Sequence, residues 1–172
     1  MFVLQTMLAW RTPELVALFS WITLLGNSLV ITIVALGMAV VLWRHRRFEY
    51  KAGLAVALFG SLLASYALKQ LVERPRPPAF FHAIAETGYS FPSMHAAAAA
   101  AVYGFLIYMA WKLMRPPHQR RPLILFLSAL ILLIGFSRTY LGVHYLSDVI
   151  GGLAIGGVFL WAGIVATKRF TN

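Results

Sequence analysis

The chain has 172 residues, of which 60% are hydrophobic and only 12% are charged. Soluble domains carry about 25% charged residues, so this composition excludes a disordered chain and argues against an ordinary soluble domain. The absence of cysteine excludes disulfides, thiolate zinc sites and a cysteine nucleophile. The 15 Lys and Arg residues outnumber the 5 Asp and Glu residues. Because these cations are few and clustered, they indicate a membrane rather than nucleic acid as the partner.

Five stretches without acidic or basic residues have about the length of a membrane-spanning helix. Such a helix needs roughly 20 residues to cross the ~30 Å hydrocarbon core. A soluble bundle of buried helices is the alternative, but the chain lacks residues for its polar outer face. We therefore predict an all-α, polytopic integral membrane helix bundle that forms a single domain over residues 1–172. The five stretches are 15–43, 52–68, 87–111, 122–137 and 149–167.

The N-terminal part of the chain has two possible arrangements. The sequence Gly26-Asn27-Ser28 is a break signal, so residues 28–43 form the core of the first span and residues 25–172 form the bundle. Pro13 predicts a helix start before this break. For residues 1–24 we expect an amphipathic helix that lies on the membrane surface. A sixth, irregular membrane helix is the alternative.

The basic residues predict the orientation of the five spans. If the spans alternate in direction, ten of the cations fall on one side. The positive-inside rule makes this side cytoplasmic, which predicts a multi-pass protein of the plasma (inner) membrane. The loops 69–95 and 137–148 then face the extracytoplasmic side. The ten cations are Arg44, Arg46, Arg47, Lys51, Lys112, Arg115, Arg120, Arg121, Lys168 and Arg169.

A cluster of polar residues on the outer side opposes this charge bias and needs another explanation. It combines cations and histidines with one firm carboxylate, and this indicates an anion site. Phosphate fits it best, because guanidinium groups match the phosphate oxygens and lysine adds a point charge. Binding of lipid headgroups without chemistry is one alternative. A metal site is another, which the surrounding cations disfavour. The cluster contains Lys69, Arg74, Arg76, His82, His95, Arg138, His144 and Asp148.

Two local patterns in this cluster suggest catalysis. His144 and Asp148 are four residues apart, so on a helix they share a face. The carboxylate would take the proton on one ring nitrogen and leave the other nitrogen as a base or nucleophile. His95 follows Pro92 and Ser93 at a predicted helix start, where free N–H groups favour an anion and Ser93 can donate its hydroxyl.

Other residues are expected to be structural. The alanine run 96–101 and the glycine pairs 151–152 and 156–157 provide small faces for close helix packing, within the bundle or in a dimer. Glu73 and Arg74 are neighbours and are expected to pair with each other.

Three motifs together resemble the type 2 phosphatidic acid phosphatase family. In segment 69–77, a lysine, six residues and Arg-Pro resemble the first motif. Segment 92–95 resembles the second, usually Pro-Ser-Gly-His, with Met94 in place of the glycine. In segment 137–148, Ser-Arg, five residues, His, three residues and Asp match the third. The resemblance extends from about residue 24 to the C-terminus. The family includes membrane lipid phosphatases and soluble relatives such as acid phosphatases and vanadium haloperoxidases.

The resemblance implies a role for each motif residue. His144 would be the nucleophile that forms a phosphohistidine, Asp148 would orient it, and His95 would protonate the leaving oxygen. No metal or other cofactor is implied. The phosphoryl group would be bound by Lys69, Arg76, Ser93, the backbone N–H of Met94, Ser137 and Arg138.

The expected function is hydrolysis of a lipid phosphate or diphosphate on the extracytoplasmic face. Undecaprenyl diphosphate is the first candidate, because so compact a chain has no extra domain for a larger headgroup. Phosphatidylglycerol phosphate, phosphatidate and lipid A phosphate remain open. The alternatives are a non-catalytic phospholipid-binding or lipid-translocating protein that reuses the pocket, and a vanadate-dependent peroxidase. The expected partners are the lipid substrate and the membrane, with no nucleic acid and no obligate protein partner.

Overall fold

A computed structural model of the chain describes residues 1–170, and within this range the secondary structure is helical. The seven α-helices are joined by turns, apart from one longer connection between the fourth and fifth that contains a short 3-10 turn, Ala79–Phe81. The helices are α1 (Phe2–Ala9), α2 (Pro13–Leu24), α3 (Ser28–Arg44), α4 (Phe48–Val72), α5 (Met94–Leu113), α6 (Pro117–Tyr140) and α7 (Leu146–Arg169).

Helices α4 to α7 are each long and apolar enough to cross a membrane. Helices α2 and α3 pass the same test only together, as one span bent by 46°. Asn27 causes a new helix to begin at the break, because its side chain accepts a hydrogen bond from the N–H of Leu29 at 2.9 Å. The structure therefore agrees with up to five spans.

The N-terminal segment 1–24 consists of two helices rather than one. Helix α1 has 8 residues, which is too short to cross a membrane. Helix α2 begins at Pro13, as the sequence predicts, and Thr12 caps it by accepting a hydrogen bond from the N–H of Leu15 at 3.3 Å. Counted with α3 as one bent span, α2 belongs to the candidate membrane spans, whereas α1 packs against α6.

Helix α5 forms the centre of the bundle, and small residues let α7 approach it closely. The alanine run 96–101 is buried. A Cβ atom on Gly152 would collide with the carbonyl oxygen of Ser93, and one on Gly156 with that of Ala97. These glycines therefore serve packing within the bundle, where close backbone contact is possible only without side chains.

Several helix ends meet at one end of the bundle, which we call the site end. Here α4 and α6 finish and α5 and α7 begin. The guanidinium of Arg11 donates to the carbonyl of Tyr140 at 2.9 and 2.6 Å. The hydroxyl of Tyr140 donates to the carbonyl of Trp10 at 3.2 Å. The N–H of Ala83 donates to the carbonyl of Leu141 at 2.9 Å. Hydrogen bonds thus link the N-terminal segment, the turn between α6 and α7, and the loop between α4 and α5.

The turn between α6 and α7 requires a glycine. Gly142 has a φ of +75°, a conformation that L side chains rarely adopt. A Cβ atom there would also collide with the carbonyl oxygen of Phe81 and the guanidinium of Arg11. This close contact positions the loop that carries His144 against the loop between α4 and α5.

Candidate active site

The helix termini bring the predicted site residues to the site end. Lys69 lies in the last turn of α4 and Arg138 in the last turn of α6. His95 lies in the first turn of α5 and Asp148 in the first turn of α7. His144 is in the turn just before α7. Residues from three distant motifs therefore converge because their helices pack side by side.

The carboxylate of Asp148 is completely buried and has four partners. Its Oδ1 accepts from Nη1 of Arg74 at 2.8 Å. Its Oδ2 accepts from the hydroxyl of Ser90 at 2.5 Å and from the N–H of Tyr145 at 2.9 Å. The same Oδ2 lies 3.5 Å from Nδ1 of His144. These contacts fix the orientation of the carboxylate behind the imidazole.

The imidazole of His144 is buried and surrounded by positive charge. Burial, together with the positive charges of Arg138, Arg76 and Lys69, lowers the pKa of His144 to about 4 and outweighs the hydrogen bond that the ring donates to Asp148. The ring is therefore uncharged at neutral pH. Its Nε2 points away from Asp148 and lies 3.2 Å from Nη1 of Arg76. The arrangement provides a neutral imidazole in which Nδ1 faces the carboxylate and Nε2 faces Arg76.

A short segment, residues 86–90, folds over the cations of the site. Lys69 donates from Nζ to the carbonyl of Tyr89, and its Nζ lies 3.4 Å from the carbonyl of Ser90. Arg76 donates to the carbonyl of Gly88 at 3.0 Å and to that of Thr87 at 2.9 Å. Backbone oxygens of this 86–90 segment thus hold two of the predicted phosphate-binding residues in place.

Glu86 is a second carboxylate in the cluster, which corrects the expectation that Asp148 is the only firm one. It accepts from Nη2 of Arg138 and lies 3.4 Å from Nη2 of Arg76. Burial raises the pKa of Glu86, but Arg138 and Arg76 lower it more, so the pKa is below its usual value and the side chain is ionised. Glu86 belongs to no motif, and only the fold of its loop places it here.

Two predicted serines use their hydroxyls within their own helices. The hydroxyl of Ser137 donates to the carbonyl of Ile134 at 2.7 Å. Ser93 caps α5 by accepting from the N–H of Ala96 at 3.5 Å. Both serines are buried. They lie at the site, but the hydroxyl that contacts Asp148 and His144 belongs to Ser90, which sequence reasoning missed.

A cavity of about 340 Å³ adjoins the cluster. Met94 and His95 lie on its wall together with Lys69, Arg76 and Glu86. Met94 is the first residue of α5 and is helical, so replacing the usual glycine causes no backbone strain. Residues of α3 and α4 and residues 87–89 complete the wall, so the cavity is bordered by two helices of the bundle and by the 86–90 segment.

Three other polar residues make contacts that the sequence did not predict. Arg74 pairs with Asp148 and not, as expected, with Glu73. His82 lies outside the cluster, with Nε2 at 2.8 Å from the carbonyl of Pro77. Thr23 of α2 accepts from Nη1 of Arg138 at 2.8 Å, so the N-terminal segment supports the site. No sequence pattern pointed to Thr23.

The comparison with known proteins identifies the family of the chain. Residues 50–171 match the model of the PAP2 superfamily. The chain belongs to the PAP2 superfamily. It is 34% identical over 150 residues to phosphatidylglycerophosphatase B of Bacillus subtilis (strain 168). The aligned region covers 85% of this chain and 72% of that protein. It is 34% identical over 139 residues to a putative undecaprenyl-diphosphatase of Escherichia coli (strain K12), covering 74% of this chain and 63% of that protein.

A solved structure shows the same fold. The transmembrane PAP2 type phosphatidylglycerolphosphate phosphatase from Bacillus subtilis superposes with a TM-score of 0.88 at 25% identity, over 97% of this chain and 83% of the other. The family, the all-helical membrane fold and the hydrolase class predicted from the sequence are confirmed. This PAP2 protein is a membrane-embedded lipid phosphate hydrolase.

Proposed function

We propose that this PAP2 protein hydrolyses a lipid phosphate monoester or diphosphate through a phosphohistidine at Nε2 of His144. The observation that carries the proposal is the neutral imidazole of His144, backed by Asp148 and facing a group of cations. Phosphoryl transfer needs mainly positioning and positive charge around the phosphoryl oxygens. This site supplies both.

The reaction has two steps. Nε2 of His144 attacks phosphorus, the bond from phosphorus to the lipid oxygen breaks, and His95 donates a proton to that oxygen. A water then attacks the phosphohistidine and gives a proton to His95. Inorganic phosphate leaves, and both histidines return to their starting states. Asp148 stabilises the positive charge that His144 carries in the intermediate.

The phosphoryl oxygens are bound by positive charges and by one helix end. Their ligands in this proposal are the side chains of Lys69, Arg76 and Arg138 and the N–H of Met94 at the start of α5, where a helix favours an anion. Ser93, which caps α5, and Ser137 of α6 support this arrangement. Each of these residues lies at the site end.

Two substrates deserve the first test. Undecaprenyl diphosphate is supported by the putative undecaprenyl-diphosphatase relative, which is 34% identical and matches 74% of this chain. The phosphatidylglycerophosphatase relative matches 85% of this chain, which supports testing phosphatidylglycerol phosphate beside it. Phosphatidate and lipid A phosphate complete the panel. The cavity beside α3 and α4 is placed to receive a headgroup while the lipid tails stay in the bilayer.

The deciding experiment measures phosphate release by the purified protein in detergent with EDTA present. We expect wild type to release phosphate from one or more of these lipids and His144→Ala to release none. His118→Ala is the matched control, because His118 lies at the start of α6, at the opposite end of the bundle, and we expect it to retain activity. Release by His144→Ala would contradict the mechanism. Lipid binding without release by wild type would favour the non-catalytic alternative.

We further propose that the site end faces the extracytoplasmic side of the plasma membrane. The ten cations at the opposite end support this orientation. The chain has no cysteine, so single cysteines can report sidedness. We expect a membrane-impermeant maleimide to label Ala85→Cys in intact cells and to label His118→Cys only after lysis. Both positions are exposed, and the reverse pattern would overturn the orientation.

A further inference from the structure

Glu86 occupies the space between two arginines that are assigned to phosphate binding. Its carboxylate contacts Nη2 of Arg138 and Nη2 of Arg76 at once. The side chain is 23% exposed, whereas that of Arg138 is 1% exposed. A carboxylate between two guanidinium groups presents the same pattern of acceptors as the oxygens of a phosphoryl group.

Arg76 has no N–H left for a phosphate. A guanidinium has five N–H donors, and here each of them faces a partner. Only one of these partners, Glu86, is an anion that another anion can replace. Nε faces the carbonyl oxygen of Gly88. Nη1 faces the carbonyl oxygen of Val143 and Nε2 of His144. Nη2 faces the carbonyl oxygen of Thr87 and Oε2 of Glu86.

This contact pattern also affects the nucleophile. Nη1 of Arg76 faces Nε2 of His144, the atom that attacks phosphorus in the proposed mechanism. Arg76 must move before that nitrogen can approach a phosphoryl group. Arg138 still has donor capacity, because its Nε is buried without a hydrogen-bond partner among the described residues. The pocket is thus arranged for an anion larger than the carboxylate that fills it.

We propose that Glu86 is an internal anion that closes the empty phosphate pocket and competes with inorganic phosphate for Arg76 and Arg138. The inference rests on the proposed function, because it takes a phosphoryl group as the anion that enters. A phosphoryl dianion carries more charge and more acceptor oxygens than a carboxylate, so it displaces Glu86. Arg76 then turns from His144 to the substrate.

The return of Glu86 has a consequence for the end of the cycle. Three cations around a phosphate ion bind it tightly, and a tightly bound product slows turnover. A carboxylate tethered next to the same arginines competes at a high effective concentration. Glu86 therefore weakens phosphate binding and speeds product release.

The test is the binding of inorganic phosphate to the purified protein in detergent, measured by isothermal titration calorimetry. We expect Glu86→Gln to bind phosphate more tightly than wild type by about tenfold or more, because one unit of negative charge is removed within contact distance. Glu86→Asp keeps the charge and should stay close to wild type. Glu73→Gln is the matched control, because it removes the same charge from an exposed position at the same end. We expect it to bind within about twofold of wild type.

Two results would overturn the inference. One is a Glu86→Gln protein that binds phosphate no more tightly than wild type. The other is a Glu73→Gln protein with the same gain, since this would assign the effect to net charge. Glu86→Ala, which also removes the carboxylate, gives the same comparison if Glu86→Gln does not fold.

Hydrolysis assays separate this inference from the proposed function. With an active protein, we expect the inhibition constant of phosphate to fall in Glu86→Gln by the same factor as the dissociation constant. If neither wild type nor any variant hydrolyses a lipid phosphate, the proposed function fails. The binding of inorganic phosphate still decides the role of Glu86.

Discussion

Arg74 and Asp148 form the ion pair that orients the carboxylate behind His144. Nη1 of Arg74 lies 2.8 Å from Oδ1 of Asp148 and donates to the hydroxyl of Ser147 at 2.7 Å. The guanidinium also lies over the ring of Tyr145, 4.3 Å from its centroid. Asp148 is 0% exposed, and a buried carboxylate is stable only when it is paired. In the proposed mechanism, Arg74 therefore acts through Asp148.

We expect Arg74→Gln to lower kcat by up to about 100-fold with little change in KM, because the position of His144 depends on Asp148. Arg74→Lys keeps the positive charge and should lose less. Without the cation, Asp148 favours the imidazolium form of His144 more strongly, so the pKa of His144 rises above its value of about 4. The acid limb of the kcat/KM profile should move to higher pH in Arg74→Gln only. A rise in KM with unchanged kcat would instead place Arg74 in substrate binding.

The buried imidazole of His144 should remain neutral in mildly acidic solution. Its pKa is about 4 in the folded protein, and a histidine in an unfolded chain takes up its proton near pH 6.5. Between these values the unfolded chain binds more protons at this residue, so folded stability falls as the pH decreases through this window. The measurement is NMR of histidine-labelled protein, with His144→Gln to assign the signal. A midpoint near 6.5 for the His144 signal would contradict the prediction.

The proposed role of His95 predicts a dependence on the leaving group. A general acid matters most for a poorly stabilised leaving oxygen, such as the alkoxide of a lipid alcohol. We expect His95→Ala to reduce kcat/KM by about 100-fold or more for a lipid phosphate. The loss should be much smaller for p-nitrophenyl phosphate, whose leaving group needs no proton. An equal loss with both substrates would assign His95 to phosphate binding or to the fold.

Substitutions at two glycines with left-handed backbone conformations distinguish the cost of backbone strain from the cost of steric collision. Gly142 and Gly88 have φ angles of +75° and +72°. A Cβ atom on Gly142 would collide with Phe81 and Arg11, whereas one on Gly88 would meet nothing within 4 Å. We expect Gly88→Ala to cost about 1 kcal/mol of stability and Gly142→Ala clearly more. Thermal denaturation of both variants in one detergent makes the comparison, and equal losses would show that the contact with Phe81 does not constrain this turn.

The sequence by itself determined four of the candidate membrane spans and most of the charged cluster, whereas the first span is the bent pair of α2 and α3. Hydrophobic length is a local property, so five spans can be read from the stretches without charge. The family motifs are also local, and alternating spans must bring their helix ends to one side. Lys69, His95, Arg138, His144 and Asp148 were therefore predicted to meet, and the helix ends of the structure place them together.

Only the tertiary structure decided which polar groups pair with one another. Arg74 lies 74 residues before its partner Asp148, and Thr23 lies 115 residues before Arg138. Glu86 reaches the arginines because the 86–90 segment folds back over them. Such contacts depend on the path of a loop between two helices. A charged side chain pairs with the opposite charge that this path brings nearest to it. The sequence neighbour Glu73 was therefore the wrong partner for Arg74, and the contact of Glu86 with Arg76 and Arg138 was visible only in the fold.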